Sequence, residues 1–205
     1  MNTFFKFIIV FISSWFNNSK KTSSTKEEKV IKEEPLHIIN DVNELPWHTS
    51  RTWSKRPLNK INKIVVHQSL TTGSLKGINN YHITPGKDNH ISNKGAPHIC
   101  YHYAVDQEGK VHQCNNLSSL VSHTKGQNTS GIGVVVLGNF DGPTYKGTST
   151  PTELQIKNTN RLIDFLLKKA DINIESSEIY GHADFGKENC PGTKIYDDVV
   201  ESRRV

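Results

Sequence analysis

Cysteine is scarce in this chain: three among 205 residues, at positions 100, 114 and 190. So few exclude a scaffold built on disulfides and leave the fold to a hydrophobic core. A membrane-spanning helix needs about 18–20 apolar residues, and the apolar run inside Met1–Phe16 falls short of that. There is no internal repeat, which excludes solenoids and propellers. The stretch Gly126–Gly133 lacks the Gly-Lys-Ser/Thr of a phosphate-binding loop. No stripe of Lys and Arg interleaved with aromatics is present, so no nucleic-acid partner is expected.

Hydrophobic residues make up 34% and charged residues 22%, in a length that suits one domain with a sizeable core plus an extension. The net charge of +5 suits an anionic partner such as a cell wall or membrane surface, and equally an ordinary solvated surface. Cys100 and Cys114 flank a predicted hairpin whose register decides whether they meet. Cys190 stands apart in a polar loop before Pro191 and Gly192, a candidate ligand or nucleophile.

Three segments follow from composition. Residues 1–16, with Lys6 ahead of a short apolar run, read as an export signal. The absence of a clean small-x-small cleavage site leaves an N-terminal membrane anchor as the alternative. Residues 17–36 are polar and charged and read as a flexible linker. Residues 37–205 form the folded domain, with Trp47 and Trp53 expected to pin its leading segment to the core. The expected location is outside the cytoplasm: secreted, periplasmic or at the cell surface.

Within that domain, short apolar runs alternate with helical patterns. Strands are expected at 63–67, 133–137 and 179–182, and a hairpin pairs 99–105 with 110–114 across the turn Asp106–Gly109. A short helix is expected over 74–81 and a closing helix over 193–202. Thr150 as N-cap, Pro151 in the first turn and Glu153 open a helix reaching about Lys169, with Leu154, Leu162, Phe165 and Leu166 as its apolar positions. The sum is an α/β domain: a mixed central β-sheet flanked by helices.

The sharpest chemical signal is Tyr180-Gly-His-Ala-Asp-Phe-Gly-Lys-Glu-Asn-Cys-Pro-Gly192. A loop of that length leaving a strand end can return so that His182 and Cys190 face one point, and imidazole and thiolate are both zinc ligands. His67 ends another buried strand, followed by polar Gln68 and Ser69, at a sheet edge where ligands tend to bind. Two His and one Cys leave a fourth position open, which is the catalytic rather than the structural arrangement of zinc.

Four stretches then carry a family resemblance: Ile64-Val-Val-His-Gln-Ser69; Cys100-Tyr-His-Tyr103; Ser122-His-Thr-Lys-Gly-Gln-Asn128 leading into Ile132-Gly-Val-Val-Val-Leu-Gly138; and Tyr180-Gly-His-Ala-Asp184 closing with Cys190-Pro-Gly192. Together, in this order, they resemble the type 2 N-acetylmuramoyl-L-alanine amidases, the superfamily of phage lysozyme-like amidases and peptidoglycan recognition proteins. The resemblance spans roughly residues 45–200. It implies Zn2+ held by His67, His182 and Cys190, and Tyr101 near the scissile carbonyl. It also implies His123, with Thr124 and Asn128 beside it, lining the substrate groove, and peptidoglycan or its muropeptides as the partner of a monomeric enzyme. One departure stands out. Many catalytic members carry a lysine two residues before the last ligand, where this chain has Glu188, with Lys187 one step earlier. Either could deliver the proton to the leaving nitrogen. Two rival readings stay open: a peptidoglycan-binding module without catalysis, and a cysteine hydrolase with Cys190 as nucleophile and His182 as base.

Overall fold

The computed structural model describes residues 34–204 except Asp88. The signal or anchor over 1–16, and the linker up to residue 33, lie outside the described residues. Among the described residues, no helix is long and apolar enough to cross a membrane.

Six strands form one mixed sheet: β1 (Ile38–Asn40), β2 (Lys63–Gln68), β3 (Tyr103–Val105), β4 (Val111–Gln113), β5 (Gly131–Val136) and β6 (Ile179–Gly181). Their spatial order is β1-β4-β3-β5-β2-β6. Only the β3–β4 hairpin is antiparallel; every other pair is parallel. Two interior strands, β2 and β5, are buried along nearly their whole length because both of their faces are covered.

Helix α2 (Glu153–Leu167) covers one face. Its Ile156, Leu162, Ile163 and Leu166 pack against Ile64 and Val66 of β2 and Ile132 and Val134 of β5. Each such fully buried aliphatic side chain contributes about 1.5–3 kcal/mol. The opposite face carries Val135 of β5 and Ala104 of β3 under Ile78 of helix α1 (Leu75–Ile83). Alternation along β2 sends His67 to this second face, so the chemistry lies on the α1 side of the sheet.

Several expectations shift. Helix α2 is capped by Thr152, not Thr150: the Thr152 hydroxyl accepts from Gln155 N–H while the Gln155 side chain accepts from Thr152 N–H. This reciprocal box satisfies two end donors at once, which Thr150 cannot do. Leu154 and Phe165 are exposed, and Ile156 and Ile163 take the buried places. Residues 99–102 are not strand, because polar groups from elsewhere hold their backbone. Asn79 accepts from Ile99 N–H and His82 from Cys100 N–H. Strand β6 stops at Gly181, and His182 opens a short helical turn, His182–Phe185. Strand β1 was not expected at all. Trp53 packs on Ala96, Cys100 and Val121, and Trp47 stacks on His98 at 4.2 Å, as pins of the leading segment. Cys100 and Cys114 are buried free thiols.

Candidate metal centre

Strands β2 and β6 run parallel, with Val66 beside Gly181. One residue further along each come His67 and His182, so the register alone sets the imidazoles together, with ring centroids 4.5 Å apart. The chain after His182 then turns back through Gly186, whose φ of 85° is left-handed and suits glycine. Ala183 N–H donates to Cys190 O and Cys190 N–H to Lys187 O, both at 2.7 Å, which closes the loop. Cys190 Sγ thereby lies 3.9 Å from His67 Nδ1 and accepts from Gln68 N–H at 3.3 Å.

Among the described residues, His67, His182 and Cys190 form one group whose ligand atoms all lie within 4.8 Å of one another. Zinc bonds of about 2.0–2.3 Å in a tetrahedron set ligand atoms roughly 3.3–3.7 Å apart, so a contraction of about 1.5 Å at most is needed. Two imidazoles and a thiol fit a zinc ion and leave one position for a further ligand.

The protonation states agree with that fit. Burial, then neighbouring His123 and His182, hold His67 well below the ordinary histidine value. Burial, then Lys187, bring His182 down to about 4. Both rings are therefore neutral, which is the ligating form. Burial pushes the Cys190 thiol up to about 12, against the opposing pull of Gln68 N–H and Lys187. A cation entering the site must displace that proton. The same shift counts against Cys190 as an unassisted nucleophile, because the thiolate is the reactive form.

Two hollows flank the group. Tyr101, its ring 5.2 Å from that of His67, lines a cleft of about 520 Å³ with Gln68, Ser69, Leu70 and His82. Burial, then Cys190 and Cys100, raise its pKa above the ordinary tyrosine value, so its hydroxyl stays a neutral donor. On the other side, Glu188 lines a hollow of about 160 Å³ with Cys190, Pro143 and Tyr196. Its carboxylate accepts a 2.6 Å hydrogen bond from the Thr144 hydroxyl. Lys187 is exposed, and its charge reaches the centre only through space.

His123, Thr124 and Asn128 lie elsewhere than on either wall. His123 is 8% exposed and Thr124 1%. Asn128 Oδ1 accepts from the backbone N–H of both His123 and Thr124 and so ties their loop down. His123 Nδ1 comes within 3.3 Å of His67 Nε2, on the side of that ring away from Cys190.

Two contributors escaped the sequence reading. Gln68 joins the end of β2 to both flanking loops: its amide donates to Asn189 O and accepts from Phe140 N–H. Arg56 is buried, and its guanidinium donates to the carbonyls of Leu117, Asn128, Thr129 and Gly131. A polar residue just after His67 was a signal for the first; nothing local marked the second.

The profile of the family described as N-acetylmuramoyl-L-alanine amidase matches residues 57–193, which contain the whole group. The chain belongs to the N-acetylmuramoyl-L-alanine amidase family. Among curated relatives it is 26% identical over 110 residues to peptidoglycan-recognition protein SC2 of Drosophila simulans, covering 54% of this chain and 56% of that protein. The chain thus spans about half the length of the curated relative it matches. Among solved structures, the amidase LysC of Clostridium intestinale superposes with a TM-score of 0.59 at 22% identity, over 78% of this chain and 95% of that one. Peptidoglycan recognition protein LE, solved with tracheal cytotoxin, gives 0.63 at 17% identity, over 79% and 91%. At such identities these structures establish the shared amidase fold.

Proposed function

We propose that this amidase-family chain is a zinc hydrolase that cleaves the amide between the lactyl group of N-acetylmuramic acid and L-alanine in peptidoglycan. The observation that carries this reading is the convergence of His67, His182 and Cys190, whose ligand atoms lie within 4.8 Å of one another. These three would hold the ion. Bound there, zinc supplies Lewis acidity that polarises the amide carbonyl and makes water reactive near neutral pH.

The remaining work falls to the chain. Tyr101, a neutral hydroxyl beside His67, donates a hydrogen bond to the carbonyl oxygen as negative charge builds on it. Glu188, held by Thr144 in the hollow shared with Cys190, takes a proton from the attacking water and passes it to the leaving alanine nitrogen. Lys187 acts as a distant charge. The cleft lined by Tyr101 receives one arm of the muropeptide and the Glu188 hollow receives the other. Water's oxygen ends on the lactyl carboxylate and its hydrogens on the released amine and the medium.

Two relatives in the comparison are named as recognition proteins rather than enzymes, so binding without cleavage is the competing reading. A complete three-ligand set with one position open favours catalysis. Metal analysis of purified protein, with mass spectrometry of digested muropeptides, tests the proposal. Expected are one zinc per chain and free stem peptides carrying an N-terminal alanine. Intact muropeptides with zinc bound would sink it in favour of binding. Cleavage that survives chelation but not thiol alkylation would favour the cysteine hydrolase. The same chemistry implies work on the cell wall, outside the cytoplasm, by a monomer delivered or anchored through residues 1–16. Retention of full-length protein in the host cytosol would count against that.

A further inference from the structure

His67 has two ring nitrogens, and they face opposite ways. Nδ1 faces Cys190 Sγ at 3.9 Å, and Nε2 faces inward at 3.3 Å from both His123 Nδ1 and Thr124 Oγ1. Those two inner atoms are 3.0 Å from each other, so three polar atoms form a closed, buried triangle. We infer that His123 is a positioning residue that, with Thr124, fixes the hydrogen of His67 on Nε2 and so presents an Nδ1 lone pair to the metal.

Hydrogen accounting carries the inference. His123 Nε2 lies 3.1 Å from the Gly131 carbonyl, an acceptor, so that nitrogen carries the hydrogen. The same carbonyl also accepts from the Arg56 guanidinium, beside which a buried imidazole stays neutral. His123 Nδ1 is then a bare acceptor. If His67 carries its hydrogen on Nε2, the triangle holds two hydrogens. The Thr124 hydroxyl donates to His123 Nδ1, and His67 Nε2–H donates to the Thr124 oxygen or directly to His123. Every group is satisfied. If His67 carries its hydrogen on Nδ1 instead, one hydroxyl hydrogen must serve two buried acceptors and one is left bare. The protein thus favours the tautomer whose free lone pair faces Cys190.

The backbone is built around this ring. A side chain at Gly133 would place its Cβ 2.6 Å from His123 Cγ, and one at Gly131 would place it 3.0 Å from His123 Cε1. Alternate glycines in β5 therefore open a slot on the sheet face that His123 fills. An imidazole seated this tightly holds its nitrogens at fixed positions, as partners behind a metal-binding histidine do.

The inference rests on the zinc reading of the site, and two measurements separate their failures. Two-bond 1H–15N spectra of the metal-free wild-type chain report each histidine's tautomer directly. Hydrogens on Nε2 of both His67 and His123 are expected; a hydrogen on Nδ1 of His67 overturns the inference. Zinc affinity by chelator competition is then compared for wild type, His123→Leu and His123→Asn, with the melting of each metal-free form as the control for folding. His123→Leu is expected to weaken zinc by about 10–100-fold. His123→Asn, whose Oδ1 can stand in for Nδ1 as acceptor, is expected to recover most of that loss. Equal losses in the two variants, or wild-type affinity in His123→Leu, overturn the positioning role. A wild-type chain that takes up no zinc overturns the reading of the site itself, while the spectra still decide the tautomer.

Discussion

Two kinds of buried histidine lie on the same sheet face, and their nitrogens separate them. His102 is fully engaged: Nδ1 accepts from Gly133 N–H at 3.0 Å and Nε2 faces the Ser119 carbonyl at 3.1 Å. His98 is likewise held, between the Leu45 carbonyl and Asn115 Oδ1 under the ring of Trp47. His67 is equally buried, but its Nδ1 has only the Cys190 thiol in front of it, at 3.9 Å, with His182 beside the ring. Burial therefore does not distinguish a ligand from a fold-holding histidine; an unengaged lone pair facing other donors does.

The largest effect that would break this contrast lies at the centre. Cys190→Ala removes one of the three proposed ligands, and losing several kcal/mol of Lewis-acid stabilisation is expected to lower amidase turnover by about 10³-fold or more. Zinc content by atomic emission should fall with it, while melting of the metal-free protein barely moves. Full zinc occupancy in Cys190→Ala would place the metal elsewhere.

Next comes the exposed side. Glu188→Gln is expected to lower kcat by about 10²–10⁴-fold with zinc retained, and Lys187→Ala to stay close to wild type. Steady-state digestion of a defined muropeptide checks both. Loss in Lys187→Ala with Glu188→Gln intact would exchange their roles.

His102→Leu tests the opposite kind of histidine. It orphans the Gly133 N–H and takes one partner each from the Arg56 guanidinium and the Ser119 carbonyl, which keeps Val121 N–H, an expected cost of about 1–3 kcal/mol in urea unfolding. Zinc stoichiometry should stay at one per chain. If zinc is lost while stability holds, the division between the two kinds of histidine fails.

The smallest effect concerns acid. Burial, then His90 and His98, bring His82 down from 6.5 to about 4. Between those values the unfolded chain binds a proton that the folded one refuses, so stability is full above pH 6.5 and declines as pH falls toward 4. From pH 7.5 to pH 5 this one site removes roughly 2 kcal/mol. His82→Asn cannot be protonated there yet can still accept from Cys100 N–H. It should flatten the urea-unfolding profile of the metal-free protein by about that amount; an unchanged slope would show that other histidines carry it.

Legibility in the sequence followed the strength of local patterns. Strands β2 and β5 were readable because a strand covered on both faces carries an unbroken apolar run. The start of α2 was misplaced by two residues because Thr150 and Thr152 both precede the helix, and only the reciprocal bond to Gln155 selects between them. Strand β1 spans three residues and pairs with β4, far along the chain, so no local pattern announces it. The candidate ligands were readable as residue types, two histidines near strand ends and a cysteine in the returning loop. The roles of His123 and Arg56 were not, since what engages them comes from Gly131, 8 and 75 positions away in sequence.

The sequence by itself determined the chemistry on offer: two histidines after short strands, a cysteine at the end of a returning loop, and a glutamate two residues before that cysteine. It also determined two of the sheet's interior strands, because apolar runs can bury both faces only inside a covered sheet. Tertiary structure alone decided which nitrogen of His67 meets the cysteine and which histidines serve the fold. The parallel register of β2 against β6 brings His67 beside His182. The slot over Gly131 and Gly133 brings His123 behind His67. A side chain's type sets what it can donate or accept, but only its neighbours in space fix which of its atoms remains free to act.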